Sequence, residues 1–227
     1  MVKLIGTWVV TLFLVMVVGH YLLPARYAPL PFISGIYQHN FLLWSWANFD
    51  GEHYLRIAKF GYQTVAGQSE YAFFPLFPLL IKALGTIFLG DYYLAAHVIV
   101  SLAFLGFVYY LVEWTKLFRQ RPWSVLLPEL LFPGAIFLVS IYTEPVFLFL
   151  TILIFLATEK RQWGRAAVLT ALATATRING IFLVAFLLLK MLQLKLSSRR
   201  VTSYTSLASA GILSYLIYLY LTYRQRL

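Results

Sequence analysis

Cysteine is absent from the 227 residues, and charge is scarce, with Asp, Glu, Lys and Arg together making up 11% of the chain. The first absence excludes disulfide frameworks, thiolate metal sites and cysteine nucleophiles. The second excludes an ordinary soluble domain, in which about a quarter of the residues are charged. Internal repeats and low-complexity linkers are also missing, so the chain reads as one membrane domain over residues 1–227. What is abundant is apolar: 61% of residues are hydrophobic, bunched into runs such as Leu4–Leu23 and Leu94–Val112. Such runs approach the roughly 20 residues that cross a ~30 Å hydrocarbon core. They are apolar on every face, whereas barrel strands alternate, so the expected fold is an all-α polytopic helical bundle.

The net charge of +10 reads as topology. Lys and Arg gather in short cytoplasmic loops, and no basic run lies outside the loops, so no nucleic-acid partner is expected. With Lys3 inside, an uncleaved first span of Leu4–Leu23 leads outward. An outer region over residues 24–90 follows, whose apolar tail Leu76–Leu89 is short for a span and is read as lying in the outer interface. Spans are then expected at Tyr92–Leu117, Val125–Ile141, Pro145–Thr158 and Thr202–Tyr223. Ala166–Leu192 is read as two short helices joined at an outer turn, Arg177-Ile178-Asn179-Gly180, because a single helix would hold Arg177 near the bilayer centre at a cost of about 2.5–3.5 kcal/mol. This arrangement puts eleven of the eighteen Lys and Arg inside and five of the eight acids outside. The basic residues Arg224 and Arg226 fall outside, a misfit expected of a chain cut within a larger protein.

The densest polar constellation is Asn48-Phe49-Asp50-Gly51-Glu52-His53-Tyr54-Leu55-Arg56, running on to Gly61-Tyr62. It reads as a short amphipathic helix capped by Asn48 or Asp50 and ended by Gly61 in a left-handed conformation. Asp50, His53 and Tyr54 share a face, while Glu52 is spaced to pair with Arg56 at i+4. A carboxylate at the outer edge of the membrane can serve as general base toward an acceptor hydroxyl if partial desolvation keeps its pKa up. Read blandly, Asp50 is a helix cap and Glu52–Arg56 a surface pair. A metal on Asp50, Glu52 and His53 is disfavoured, because i and i+2 diverge on a helix.

Here a resemblance becomes specific. Phe49-Asp50-Gly51, Tyr54-Leu55-Arg56-Ile57-Ala58, Gly61-Tyr62 and Ala72-Phe73-Phe74-Pro75-Leu76-Phe77-Pro78-Leu79 resemble the first outer loop of the PIG-V family. That family is the GPI mannosyltransferase II type within the GT-C superfamily, and it has bacterial and archaeal members. Phe132-Pro133-Gly134-Ala135-Ile136-Phe137, Ser140-Ile141-Tyr142-Thr143-Glu144 and Ala175-Thr176-Arg177-Ile178-Asn179-Gly180 resemble it in the same order. The departure is Phe49, where tryptophan often precedes the aspartate.

The resemblance implies a GT-C-like bundle with interfacial helices between spans one and two, of which this chain is the N-terminal part. It implies a hexosyltransferase, with mannose passing from a polyprenyl-phosphate donor to an extracytoplasmic lipid or glycan acceptor with inversion. Asp50 takes the catalytic position and no cofactor or metal is expected. Arg177 is the candidate ligand of the donor phosphate, or else a paired structural arginine. His53 assists the phosphate or is a hydrogen-bonded structural histidine. Glu52, Tyr54, Glu144 and Trp46 are candidates to hold acceptor or donor, with Glu144 alternatively paired to Arg177 or capping a helix; Trp44 and Phe49 join Trp46 as aromatics for a sugar or prenyl chain. The membrane is the plasma membrane in a prokaryote and the endoplasmic reticulum in a eukaryote. The rival readings are a small transporter or lipid flippase, and a truncated inactive family member.

Overall fold

The computed structural model describes residues 2–22, 43, 45–65 and 68–224. Trp44 and most of the segment after the first helix lie outside the described residues.

Helix α1 spans Val2–Leu22, and of its long apolar surface only Trp8 is buried, where its indole donates to the Leu130 carbonyl at 2.7 Å. The outer region then folds into a 3₁₀ turn at Ser45–Ala47, helix α2 over Asp50–Phe60, a two-stranded antiparallel ribbon of β1 (Thr64–Val65) and β2 (Gln68–Ser69), and a 3₁₀ turn at Glu70–Ala72. Helix α3, Leu76–Ile87, follows; its 12 residues extend only about 18 Å, too short to span a hydrocarbon core. It doubles back through Leu89 and Gly90 into α4, Tyr92–Leu117, and Phe77 and Ile81 are wholly buried against Tyr93, Ala96 and Val100.

The expected span Val125–Ile141 is not one helix. Helix α5 covers Pro122–Leu131, and a 3₁₀ stretch, Pro133–Leu138, replaces the rest. Pro133 is the physical reason: it lacks an amide hydrogen and pushes Phe132 into extended backbone, where ψ is 137°. Helix α6, Glu144–Glu159, and helix α9, Ser198–Arg224, fall where spans were expected. The stretch Ala166–Leu192 does divide: α7 is Trp163–Thr174, α8 is Gly180–Gln193, and Arg177 lies in the turn between. That turn needs glycine at 180, since a Cβ there would stand 2.6 Å from the Thr174 Cα. Among the described residues, α1, α4 and α9 are long and apolar enough to cross a membrane, and the protein is an all-α membrane protein.

Three helices that run away from Asp50, namely α4, α6 and α8, end alike. Arg119, Arg161 and Lys195 take φ of 54°, 55° and 53° just past each terminus, a position glycine usually holds. Each is followed by an amide returning to the helix, such as Gln162 N–H to the Ala157 carbonyl at 2.8 Å. The basic side chains sit at the carbonyl ends, where the helix dipole favours them.

Candidate active site

At the other end of the bundle, backbone hydrogen bonds tie together segments far apart in sequence. The Ile141 amide donates to the Trp46 carbonyl at 2.8 Å, and the Leu76 amide to the Ala175 carbonyl at 2.9 Å. The Tyr142 hydroxyl donates to the Asn48 carbonyl at 3.0 Å. All three resembling segments, around Asp50, Glu144 and Arg177, thereby meet at one place.

Asp50 is the first residue of α2, not its cap. The cap position is Phe49, without a side-chain hydrogen bond, and Asn48 Oδ1 instead accepts from the Phe49 amide at 2.9 Å. Phe49 has φ 55° and ψ −117°, with the Gly51 amide donating to the Asn48 carbonyl at 3.3 Å. This is the first central position of a type II′ turn, normally glycine, and an L residue there costs on the order of 1–3 kcal/mol. The turn leaves Phe49 59% exposed and Asp50 exposed at the mouth of the site. Gly51 allows the approach behind it, since a Cβ would lie 3.1 Å from the Ile141 carbonyl.

From Gly51 to Ala58, α2 is buried on every side, so the polar face of this amphipathic helix is enclosed as well as the apolar one. The expected surface pair of Glu52 and Arg56 is corrected: both are buried, at 0% and 7% exposure. Arg56 Nε donates to Glu70 Oε1 at 3.0 Å, and the Gln63 amide donates to Glu70 Oε2 at 3.0 Å. His53 Nδ1 stands 3.6 Å from Glu70 Oε1, beyond hydrogen-bond range, and the imidazole stacks on Phe73 at 4.8 Å. Burial alone would raise the Glu70 carboxyl; its bonds and charge partners outweigh that and hold it below the ordinary glutamate value.

Arg177 forms an ion pair with Glu144 Oε1 and donates from Nη1 to Thr143 Oγ1 at 3.2 Å. Burial pushes the Tyr54 phenol up to about 12, only partly offset by Thr143, so Tyr54 remains protonated. Glu144 Oε2 is buried without a hydrogen-bond partner. Around Asp50, loss of hydration raises the carboxyl above the ordinary aspartate value of 3.8; nearby His53 and Arg177 pull it down and Glu144 adds to the rise.

The structure thus brings Asp50, Tyr54, Glu144 and Arg177 together, and of the readings open for Glu144 it realises the pairing with Arg177. Glu52 points into the core and His53 leans toward Glu70. Trp46 is half-buried in its 3₁₀ turn and joins the site through its carbonyl. Thr143, Tyr142 and Glu70 were given no role from sequence, and Asn48 only that of a helix cap. The first two lie beside Glu144 and only needed the segment read residue by residue, whereas nothing in spacing announces Glu70 as the partner of Arg56. Among the described residues no group of three or more His, Asp or Glu is clustered to hold a metal ion.

Fold and site together define a polytopic helical membrane protein with an exposed carboxylate beside a tethered guanidinium at one end. Residues 12–224 match the mannosyltransferase (PIG-V) family, and the chain belongs to that family. GPI alpha-1,6-mannosyltransferase 2 of Homo sapiens is 31% identical over 178 residues, covering 73% of this chain and 35% of the human protein. The Cricetulus griseus protein of the same name is 33% identical over 161 residues, covering 65% and 32% of the two chains. The chain therefore spans about a third of the length of the curated relatives it matches. No solved structure matches it.

Proposed function

We propose that this chain carries the catalytic front of a mannosyltransferase that moves mannose from a polyprenyl-phosphate donor to a hydroxyl of a glycolipid or glycan acceptor; the names of its relatives support the transfer of mannose. The observation that carries the reading is the meeting of Asp50 with the Arg177–Glu144 pair, from segments more than ninety residues apart, at one end of a membrane bundle. Asp50 takes the proton of the acceptor hydroxyl, whose oxygen attacks C1 of the sugar. The C1–O bond to the lipid phosphate breaks, and the phosphate leaves with the electron pair. A single displacement of this kind inverts C1. Arg177 receives the developing phosphate charge through charge-assisted hydrogen bonds, supplying the positive charge that a metal would otherwise give.

Two features support this assignment. Partial desolvation keeps Asp50 from being too weak a base. The idle Oε2 of Glu144 offers a buried acceptor for a sugar hydroxyl, with Tyr54 a protonated donor beside it. The positive-inside rule orients the site toward the extracytoplasmic or lumenal face, because the basic helix ends lie at the opposite end.

The test is transfer of radiolabelled mannose from a polyprenyl-phosphate donor in membranes containing the protein. Asp50→Asn is expected to lose at least about 100-fold in rate, with the protein still inserted and folded. An Asp50→Asn protein that transfers at the wild-type rate would overturn the assignment.

A further inference from the structure

At the end of the bundle opposite Asp50, the C-termini of α6 and α8 enclose a cavity of about 220 Å³ lined by Thr158, Glu159, Arg161, Lys190, Gln193 and Leu194. Thr158 is 3% exposed and its hydroxyl has no hydrogen-bond partner. A place on a helix does not explain this, because Thr151 and Thr170 return their hydroxyls to the carbonyls of Phe147 and Ala166, both at 2.8 Å. A buried hydroxyl left idle carries an uncompensated desolvation penalty, which a ligand oxygen would remove. Lys190 Nζ lies 3.7 Å from Glu159 Oε1, too far for a hydrogen bond, so neither charge is fully engaged. Arg161 lines the same cavity from its strained φ of 55°.

The charges specify the ligand. Of the charged side chains that line the cavity, Arg161 and Lys190 are positive and Glu159 is negative, so a ligand that carries a phosphate and a cation together finds a partner of opposite sign for each. Beside the cavity the surface is apolar and open at Leu189 of α8, 58% exposed, and at Leu194, which lines the cavity and is 44% exposed. This suits acyl chains attached to that headgroup.

We propose that this cavity binds the headgroup of a phosphoethanolamine-bearing phospholipid in the leaflet opposite the candidate active site. Arg161, Lys190 and the Thr158 hydroxyl hold the phosphate, and Glu159 holds the primary ammonium. The site is separate from the transfer chemistry, and its test does not depend on transfer activity.

The experiment is lipid titration of the detergent-solubilised protein, read by native mass spectrometry, with short-chain phosphatidylethanolamine, phosphatidylglycerol and phosphatidylcholine and with free phosphoethanolamine. Phosphatidylethanolamine is expected to bind tightest. Thr158→Val, Arg161→Gln and Lys190→Gln are each expected to weaken its binding roughly tenfold, the scale of one hydrogen bond to a charged group. Thr158→Val should leave thermal stability unchanged or raised, since it removes an idle polar atom. Glu159→Gln should erase the preference over phosphatidylglycerol. Arg199→Gln with Arg200→Gln, which alters charge nearby without lining the cavity, should leave binding intact. The proposal is overturned if phosphatidylglycerol binds as tightly as phosphatidylethanolamine to the wild type, or if free phosphoethanolamine binds as tightly as the lipid. It is equally overturned if the Arg199/Arg200 control weakens binding as much as the cavity variants do.

Discussion

Glu70 is the residue whose removal reaches furthest into the candidate site. It is fully buried, and it holds Arg56, itself 7% exposed, together with the Gln63 amide. Glu70→Ala leaves a buried guanidinium without this partner, and breaking a buried pair from one side costs about 3–5 kcal/mol. Glu70→Gln keeps an acceptor for only one of the two donors, because Oε1 and Oε2 each accept one bond and the amide nitrogen replaces one of them. The other buried donor then faces an NH2 group, a loss of about 1–3 kcal/mol and smaller than that of Glu70→Ala. Adding Arg56→Met to Glu70→Ala removes the stranded charge, so the double variant should be more stable than Glu70→Ala alone. The assay is reversible unfolding in mixed micelles with a denaturing detergent, followed by tryptophan fluorescence. Because the Glu70 carboxyl is held below its ordinary value of 4.5, its contribution is present above that pH and is lost as pH falls through the lower folded value. Glu70→Gln should lack that acid-dependent component. A loss below about 0.5 kcal/mol in Glu70→Ala, within the range of an ordinary surface change, would refute the view that this carboxylate secures α2 and hence Asp50.

Further outcomes follow from the packing and from the charges around Asp50. A Cβ on Gly211 would overlap the Ala171 carbonyl where α9 crosses α7, so Gly211→Ala should cost about 1–3 kcal/mol in the same unfolding assay. In transfer kinetics, the acid limb of kcat/KM should lie above pH 3.8, because Asp50 must be deprotonated to act. Glu144→Gln should move that limb to lower pH, since the Glu144 carboxylate raises Asp50, and Arg177→Gln should move it higher.

The long elements were legible because hydropathy alone determines them: α4 runs over Tyr92–Leu117, the expected span. The turn at Arg177 was legible because a buried charge is costly enough to decide between one helix and two. The break after Leu131 was missed because an apolar run reports its preference for lipid and says nothing of backbone continuity, although Pro133 stood in plain view. At the site, Asp50 and Arg177 were found from chemistry and resemblance. The Glu70 bond to Arg56 was not found, since it crosses a ribbon of unremarkable sequence, and helical spacing offered the nearer partner Glu52. The strain at Phe49 was equally silent, because residue identity gives no hint of a glycine-type turn occupied by phenylalanine.

The hydrogen bond from the Leu76 amide to the Ala175 carbonyl has a consequence for biosynthesis. Ninety-nine positions separate the two residues. At about 5–20 residues per second, Leu76 leaves the ribosome roughly 5–20 s before its partner exists. The Arg56–Glu70 pair, fourteen positions apart, can close long before that, so α2 and its ribbon become a preformed unit waiting beside the insertion machinery. Glu144, synthesised in the interval, must wait for Arg177 before its charge is matched. Assembly of the site is thus one of the last events in making this part of the chain, and a ribosome stalled before Ala175 would leave Asp50 and Glu144 without Arg177.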